Sequence, residues 1–394
     1  DATVKCWGWN NNGQLGLGDT SDRGDDANEM GTNLPSMDLG ERRTAVAVCT
    51  GARHTCALLD DAAVKCWGQG ETGQLGLGDT ADRGDDANEM GANLPSVDLG
   101  DGRTAAAVVA GGQHTCALLD DATVKCWGWN INGQLGQGGT SNRGDDMGTN
   151  LPVVDLGAGR TVTAVIAGGH HTCVLLDDAT LKCWGYNGMG QLGIGDTANR
   201  GDDANEMGAN LPWIDLGPGR TAVAVTAGSR HTCALLDDAT VKCWGQSKYG
   251  QLGLGHDRDQ GDDAEEMGAN LTAVDLGAGR TAEAVTAGSK HTCALLDDAT
   301  VKCWGYNDAG QLGLGDTLNR GVNDNEMGAS LPSVDLRPGR TAVAVVAGSR
   351  HTCALLDDAT VKCWGRNNDG QLGLGDTSSL GDDATEMGDH LPAV

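Results

Sequence analysis

The chain has no phenylalanine, three tyrosines and eight prolines in 394 residues, and aromatic residues make up only 3%. Cations are also scarce: 27 Lys and Arg against 55 Asp and Glu leave a formal charge of −28. That balance argues against a groove that works by neutralising phosphates, and so against nucleic acid as a partner. It argues equally against docking on anionic lipid. No apolar run approaches the ~18 residues of a membrane-spanning helix. No stretch carries a helical apolar stripe of useful length. An initiator Met and a signal sequence are missing ahead of Asp1, so the sequence reads as a processed product or an excerpt of something longer.

What is abundant is glycine, 63 residues, about twice the usual share of roughly 7%. Ten tryptophans and fourteen cysteines accompany it. The tetrad KCWG occurs seven times, with its Trp at Trp7, Trp67, Trp127, Trp184, Trp244, Trp304 and Trp364. A fixed period near 60 residues means a solenoid, a propeller or an array. Within one unit the period is two: TAVAV alternates small apolar residues, and HTCALL and ATVKCW are short runs split by an Asp-Asp turn, a hairpin signature. An outer strand is expected near LPSVDL. Four short strands per unit predict an all-β, seven-bladed β-propeller of four-stranded blades, one domain over residues 1–394. The Ala/Val strand is expected nearest a crowded axis. There are seven WG units but six HTC units, so one blade is incomplete in this chain.

The motifs AGxxHT, AL and WGxNxxGQLGxG together resemble the repeats of the regulator-of-chromosome-condensation family, and the resemblance covers almost the whole chain. It implies a seven-bladed propeller. The cysteine-bearing repeats with acidic GDDANEMGANLPSVDLG connectors look like those of secreted or surface proteins of bacteria. The resemblance implies little about activity, since the family includes a nuclear exchange factor, a plant ultraviolet photoreceptor and a secreted inhibitor of β-lactamases. The hairpin turn usually ends in Gly in that family. Here Ala62, Ala122, Ala179, Ala239, Ala299 and Ala359 stand there. If the turn needs a left-handed residue, each costs roughly 1 kcal/mol.

Six cysteine pairs share the spacing C-x9-C: Cys56 with Cys66, Cys116 with Cys126, Cys173 with Cys183, Cys233 with Cys243, Cys293 with Cys303, and Cys353 with Cys363. In a hairpin centred on the Asp-Asp turn, Cys56 faces Cys66, and directly opposed Cβ atoms lie close enough to bridge. One cross-strand disulfide per blade is expected. Zinc is the rival, but this spacing lacks the short knuckle of zinc sites. Disulfides imply an oxidising, extracellular or cell-surface location. Cys6 and Cys49 are left over, either bonded to each other or, for Cys6, bonded to a segment upstream.

No single catalytic constellation stands out. The six HTC histidines (His54, His114, His171, His231, His291 and His351) are equivalent copies, which is how structural hydrogen-bonding groups occur. The connectors carry carboxylates, such as Asp79, Asp82 and Asp85, that invite calcium. These ligands drift between copies, so no cofactor and no metal is expected. Four Arg-Gly-Asp tripeptides are weak evidence for adhesion. The GQLGxG run lacks the Lys-Ser/Thr of a phosphate loop and reads as tight turns.

The copies disagree mainly in the dipeptide before HT and in the residues after WG. Strand direction places both at one end of the blade and the constant DDAT turns at the other. The variable end collects Trp9, Asn11, Trp129, Ile131, Tyr186, Met189, Tyr249, Tyr306, Arg366, Arg53, Arg230 and Arg350, residue types favoured in recognition. Its aromatics are expected to be mostly exposed. The reading is a non-enzymatic binding or scaffold module that recognises a protein partner, or a second copy of itself, through this face. The alternatives are a subunit of an extracellular filament joined through the incomplete blade, and a secreted enzyme inhibitor.

Overall fold

The computed structural model describes residues 3–394. Among them are six three-stranded antiparallel sheets. The first contains β1 (Ala45–Thr50), β2 (His54–Leu59) and β3 (Val64–Gly68). The same trio recurs as β4 (Ala105–Ala110), β5 (His114–Leu119) and β6 (Val124–Gly128), then as β7 (Val162–Ala167), β8 (His171–Leu176) and β9 (Leu181–Gly185). The remaining sheets contain β10 (Ala222–Ala227), β11 (His231–Leu236) and β12 (Val241–Gly245); β13 (Ala282–Ala287), β14 (His291–Leu296) and β15 (Val301–Gly305); and β16 (Ala342–Ala347), β17 (His351–Leu356) and β18 (Val361–Gly365). The described chain groups into two compact units. One contains residues up to 23, 29–186 and 198–213; the other contains 24–28, 187–197 and 214–394.

The register follows the hairpin logic. In the first sheet Cys56 faces Cys66 and Leu58 faces Val64. Leu59 N–H donates to Ala63 O, and Ala62 N–H donates to Leu59 O, leaving a three-residue loop of Asp60, Asp61 and Ala62. Such a loop ends in a left-handed residue. The six turn alanines adopt that conformation, with φ between 60° and 65°.

All six expected disulfides are formed, one across the second and third strands of each sheet. Cys56 bonds to Cys66, Cys116 to Cys126, and Cys173 to Cys183. Cys233 bonds to Cys243, Cys293 to Cys303, and Cys353 to Cys363. The Cα atoms are 4.1 Å apart in each pair, as direct cross-strand neighbours should be. Cys6 and Cys49 are both free thiols. Cys6 Sγ donates to Met37 Sδ at 3.3 Å, and Cys49 stands opposite Cys56 on the neighbouring strand.

The core lies between successive sheets. Cys56, Leu58, Val64 and Cys66 of one repeat pack on Val97, Val108, Ala117, Leu119 and Trp127 of the next. Trp67, Trp127, Trp184, Trp244, Trp304 and Trp364 are fully buried. Large indoles supply the volume that the absent phenylalanines would otherwise provide. Trp7 is only half-buried, and its segment forms no paired strand among the described residues.

The outer edge differs from expectation. No strand forms at LPSVDL; Pro95 has no N–H for a ladder, and the segment makes two backbone bonds to different partners, Val97 N–H to Val64 O and Gly148 N–H to Asp98 O. Instead each repeat has an isolated antiparallel bridge at the end of its WG segment, as at Gly68 and Arg83, and seven such bridges occur among the described residues. The residue after the bridge, Gly84, is left-handed with φ 85°, so a ladder cannot extend along β3. The first strands differ as well: Val46, Val223 and Val343 are exposed, not crowded.

Candidate functional site

Backbone bonds place the two variable loops side by side. Gln69 N–H donates to Arg53 O, Trp129 to Gln113 O, Tyr186 to His170 O, Gln246 to Arg230 O, Tyr306 to Lys290 O and Arg366 to Arg350 O. The residue after WG and the residue before HT are therefore one paired rim in every sheet, at the end opposite the DDAT turns. Beneath the rim an Asn fixes the loop. Asn130 Oδ1 accepts from Leu135 N–H, and its Nδ2 donates to Gly139 O. Asn187, Asn307 and Asn367 hold their following Leu in the same way.

Side chains of neighbouring repeats meet on this rim. In the first unit the Arg53 guanidinium lies 5.2 Å from the centroid of a Trp9 ring. Trp129 and His170 pack edge to face at 5.3 Å, and His170 does the same with Tyr186 at 6.3 Å. In the second unit Tyr249 and Tyr306 lie 4.4 Å apart. Lys290 sits 5.0 Å from one ring and 5.5 Å from the other, Lys248 lies 5.6 Å from Tyr249, and Arg350 lies 5.5 Å from Tyr306. Such cation–ring contacts stabilise by roughly 0.5–1 kcal/mol at exposed sites. Tyr306 Oη donates to Asp308 at 2.8 Å, and Arg350 approaches the same carboxylate. Burial, then that bond, pushes the Tyr306 hydroxyl pKa up.

The aromatics are thus not mostly exposed. Trp9, Trp129, Tyr186, Tyr249 and Tyr306 are all half-buried, because each ring leans on a side chain from an adjacent loop. They remain outside the core clusters. Asn11 and Ile131 are exposed on the same loops, and Met189, Arg230 and Arg366 are half-exposed. Arg366 approaches Asp369 at 3.7 Å. His170, Lys248 and Lys290 belong to the array although their chemistry alone did not single them out. The signal that finds them is position: all three lie in the two variable loops.

The repeated polar residues serve the framework. His54 Nε2 lies 2.9 Å from Thr115 Oγ1 of the next repeat, and Thr115 Oγ1 donates to Gln74 O. With its proton committed to Gln74, that hydroxyl accepts from the imidazole, so Nε2 carries the proton. Trp127 Nε1–H donates to the same Gln74 carbonyl. The His–Thr contact recurs at His114, His231 and His291. Burial lowers the pKa to about 4 for His54 and His351, and to about 3 for His114, His231 and His291. Neutral, equivalent and interlocked, they are structural groups. The lysine of KCWG is another: Lys125 Nζ donates to Leu99 O and Gly148 O, tying two connectors to the sheet. Burial lowers its pKa.

In the GQLG run a Cβ added at Gly76 would fall 2.7 Å from Trp127 Nε1, and φ there is +68°. Those glycines permit close approach to the indole. In the connectors Arg83 is held by Asp79 at 2.6 Å, which turns the Arg-Gly-Asp arginine inward. Asp82 accepts from Gly70 N–H and Asn12 Nδ2, so Asp79 and Asp82 face different partners. No group of three or more potential metal ligands occurs among the described residues. No helix among them is long and apolar enough to cross a membrane.

Interlocked sheets of this kind match the model of the RCC1-like domain over residues 3–390. The chain belongs to the RCC1-like domain family. It is 31% identical over 379 residues to the ultraviolet-B receptor UVR8 of Arabidopsis thaliana, covering 95% of this chain and 75% of that receptor. It is 28% identical to the human E3 ubiquitin-protein ligase HERC2, covering 96% of this chain and 7% of the ligase. Among solved structures, yeast RCC1 with Kap60 bound superposes with a TM-score of 0.71 at 20% identity, covering 97% of this chain and 83% of that one. Human WBSCR16 gives 0.70 at 19%, covering 96% and 92%. The fold is therefore an all-β repeat of the RCC1-like propeller type. Its relatives include a receptor and a protein captured with a protein partner.

Proposed function

We propose that the seven repeats are the blades of a single propeller domain over residues 1–394. It acts as a non-enzymatic binding module, secreted or at a cell surface, and engages a protein partner through the rim of WG loops. One observation carries this reading. Aromatic and cationic side chains pair across neighbouring repeats on the rim where the copies diverge most. Tyr, Trp and Arg are the side chains that anchor protein interfaces. They are half-buried against each other, which pre-orders them and lowers the entropic cost of docking. Receptor and partner-bound relatives make a binding role the natural reading, and six disulfides support an oxidising compartment.

The experiment is site-specific cross-linking in the source organism. A photo-reactive residue at Tyr306 is expected to give a discrete adduct, and one at Thr360 on the DDAT end none. Adducts from Thr360 alone would reject the assignment of the rim. Free thiols at Cys116 and Cys126 in protein isolated from the source would reject the extracellular location.

A further inference from the structure

One repeat breaks its own pattern away from the rim. Trp213 stands where Ser36, Ser96, Val153, Ala273, Ser333 and Ala393 stand in the other copies. Its side chain is 61% exposed, in contrast to the buried WG tryptophans. An indole left largely in water at a position that otherwise takes a small residue contributes nothing to the core. It forms a wall of an open cavity of about 500 Å³ at the DDAT end of the third sheet, lined also by Gly157, Arg160, Asp178, Thr180 and Lys182. That volume lies within the range of small-molecule sites.

The charges around it are already matched. Arg160 pairs with Asp178 at 2.9 Å and approaches Asp177 at 3.9 Å. Lys182 Nζ donates to Leu156 O and Gly208 O, both at 3.0 Å. An ammonium has three donors, so one proton remains. Lys182 is half-buried, whereas its counterparts Lys125 and Lys242 are buried, so that proton is accessible from the cavity it lines. Thr180 adds a hydroxyl. The cavity thus offers an apolar plate, several hydrogen-bonding groups and cations that carboxylates already balance, Arg160 by Asp178 and Asp177, and Lys182 through space by Asp155 and Asp178. An anion would meet the carboxylates of Asp155, Asp177 and Asp178 around these cations, and an apolar ligand would leave the polar wall unsatisfied. A neutral, hydroxyl-rich ring with one apolar face satisfies both walls.

We propose that this cavity binds a sugar unit of a neutral glycan, which stacks on Trp213 and hydrogen-bonds to Lys182, Thr180 and the Arg160–Asp178 pair. The site is independent of the rim and of any partner bound there.

The test is titration of the intact chain with cellotetraose, maltotetraose, mannotetraose and N-acetylchitotetraose, followed by saturation-transfer NMR, with a heparin tetrasaccharide as the anionic control. At least one neutral probe is expected to bind and to slow oxidation of Trp213 by N-bromosuccinimide. Trp213→Ser is expected to weaken that binding about tenfold, with unchanged circular dichroism, and Trp213→Tyr by only about threefold. The oxidation measurement reads the wild-type chain, so it stands even if the serine variant misfolds. Binding by none of the neutral probes, binding by heparin alone, or equal affinity in a folded serine variant would overturn the proposal.

Discussion

Trp127 and Trp129 are two residues apart in one repeat and lead opposite lives. Trp127 lies at the end of β6 with its indole sealed between sheets and its N–H on Gln74 O. Trp129 lies one residue past the strand, half-buried, its ring edge on His170. Alternation in a strand would put both on one side, but Gly128 between them has φ 106° and turns the chain. The strand end separates them. Up to Gly128 the side chains interlock with the next repeat, and beyond it the rim is free to vary. The contrast teaches where tolerance to change lies: the framework repeats because each copy completes the next, whereas the rim side chains lean only on neighbouring rim side chains.

Acid should break the framework first. The buried histidines titrate near 3 to 4 when folded, whereas an unfolded imidazole titrates near 6.5. The unfolded chain therefore binds more protons below pH 6.5, and stability falls as pH drops from there towards 4. At pH 5 each such histidine costs about 2 kcal/mol. Urea midpoints measured between pH 7 and 5 should fall steeply, and His114→Gln should flatten that slope. A flat profile would show that the imidazoles are charged or solvated.

Substituting the two tryptophans is the direct comparison. Trp127→Ala should cost about 3–5 kcal/mol by emptying an inter-sheet core site. Trp129→Ala should cost less than about 1 kcal/mol of stability. Urea unfolding at pH 7 measures both. Similar losses would mean that the rim aromatics are ordinary core.

The staples come next. Replacing Cys116 and Cys126 together by serine should cost about 2–3 kcal/mol, mainly through the loosened unfolded chain. The free thiols give a chemical control. Burial pushes Cys6 up to about 11 and Cys49 up to about 12, so iodoacetamide should label the native protein slowly below pH 9. Rapid labelling at neutral pH would show that both sites open.

Much of this was legible in the sequence, for reasons that are local. Hairpin symmetry about the Asp-Asp turn set Cys56 against Cys66, and strand direction alone put both variable loops at one end. What was not legible depends on contacts between repeats. His170 gains meaning only between Trp129 and Tyr186, and Lys290 only over two tyrosine rings from separate loops. The aromatics looked exposed because neighbouring loops were invisible. The role of the KCWG lysine was not legible because its acceptors, Leu99 O and Gly148 O, are 26 and 23 residues away. A fourth strand was expected at LPSVDL, but its backbone bonds go to two different segments, at Val64 and Gly148, so no ladder forms.

The smallest effect concerns the turns at the constant end. Ala122 is held at φ 62°, where its Cβ crowds the following carbonyl, at a cost of roughly 1–2 kcal/mol. The loop tolerates this because Leu119 O accepts from Ala122 N–H, and Asp121 Oδ1 accepts from Thr123 N–H and its hydroxyl. Ala122→Gly removes the crowding but gives the unfolded chain more freedom, worth about 0.4–1 kcal/mol in the opposite sense. The net gain should be about 0.5–1 kcal/mol for one turn, read as a higher urea midpoint with an unchanged slope. A sixfold Ala→Gly variant should gain nearly additively, because the turns share no partners. Rim binding should be unaffected, since the turns lie at the other end of each sheet. A loss of stability in the single variant would show that the turn alanines are not strained.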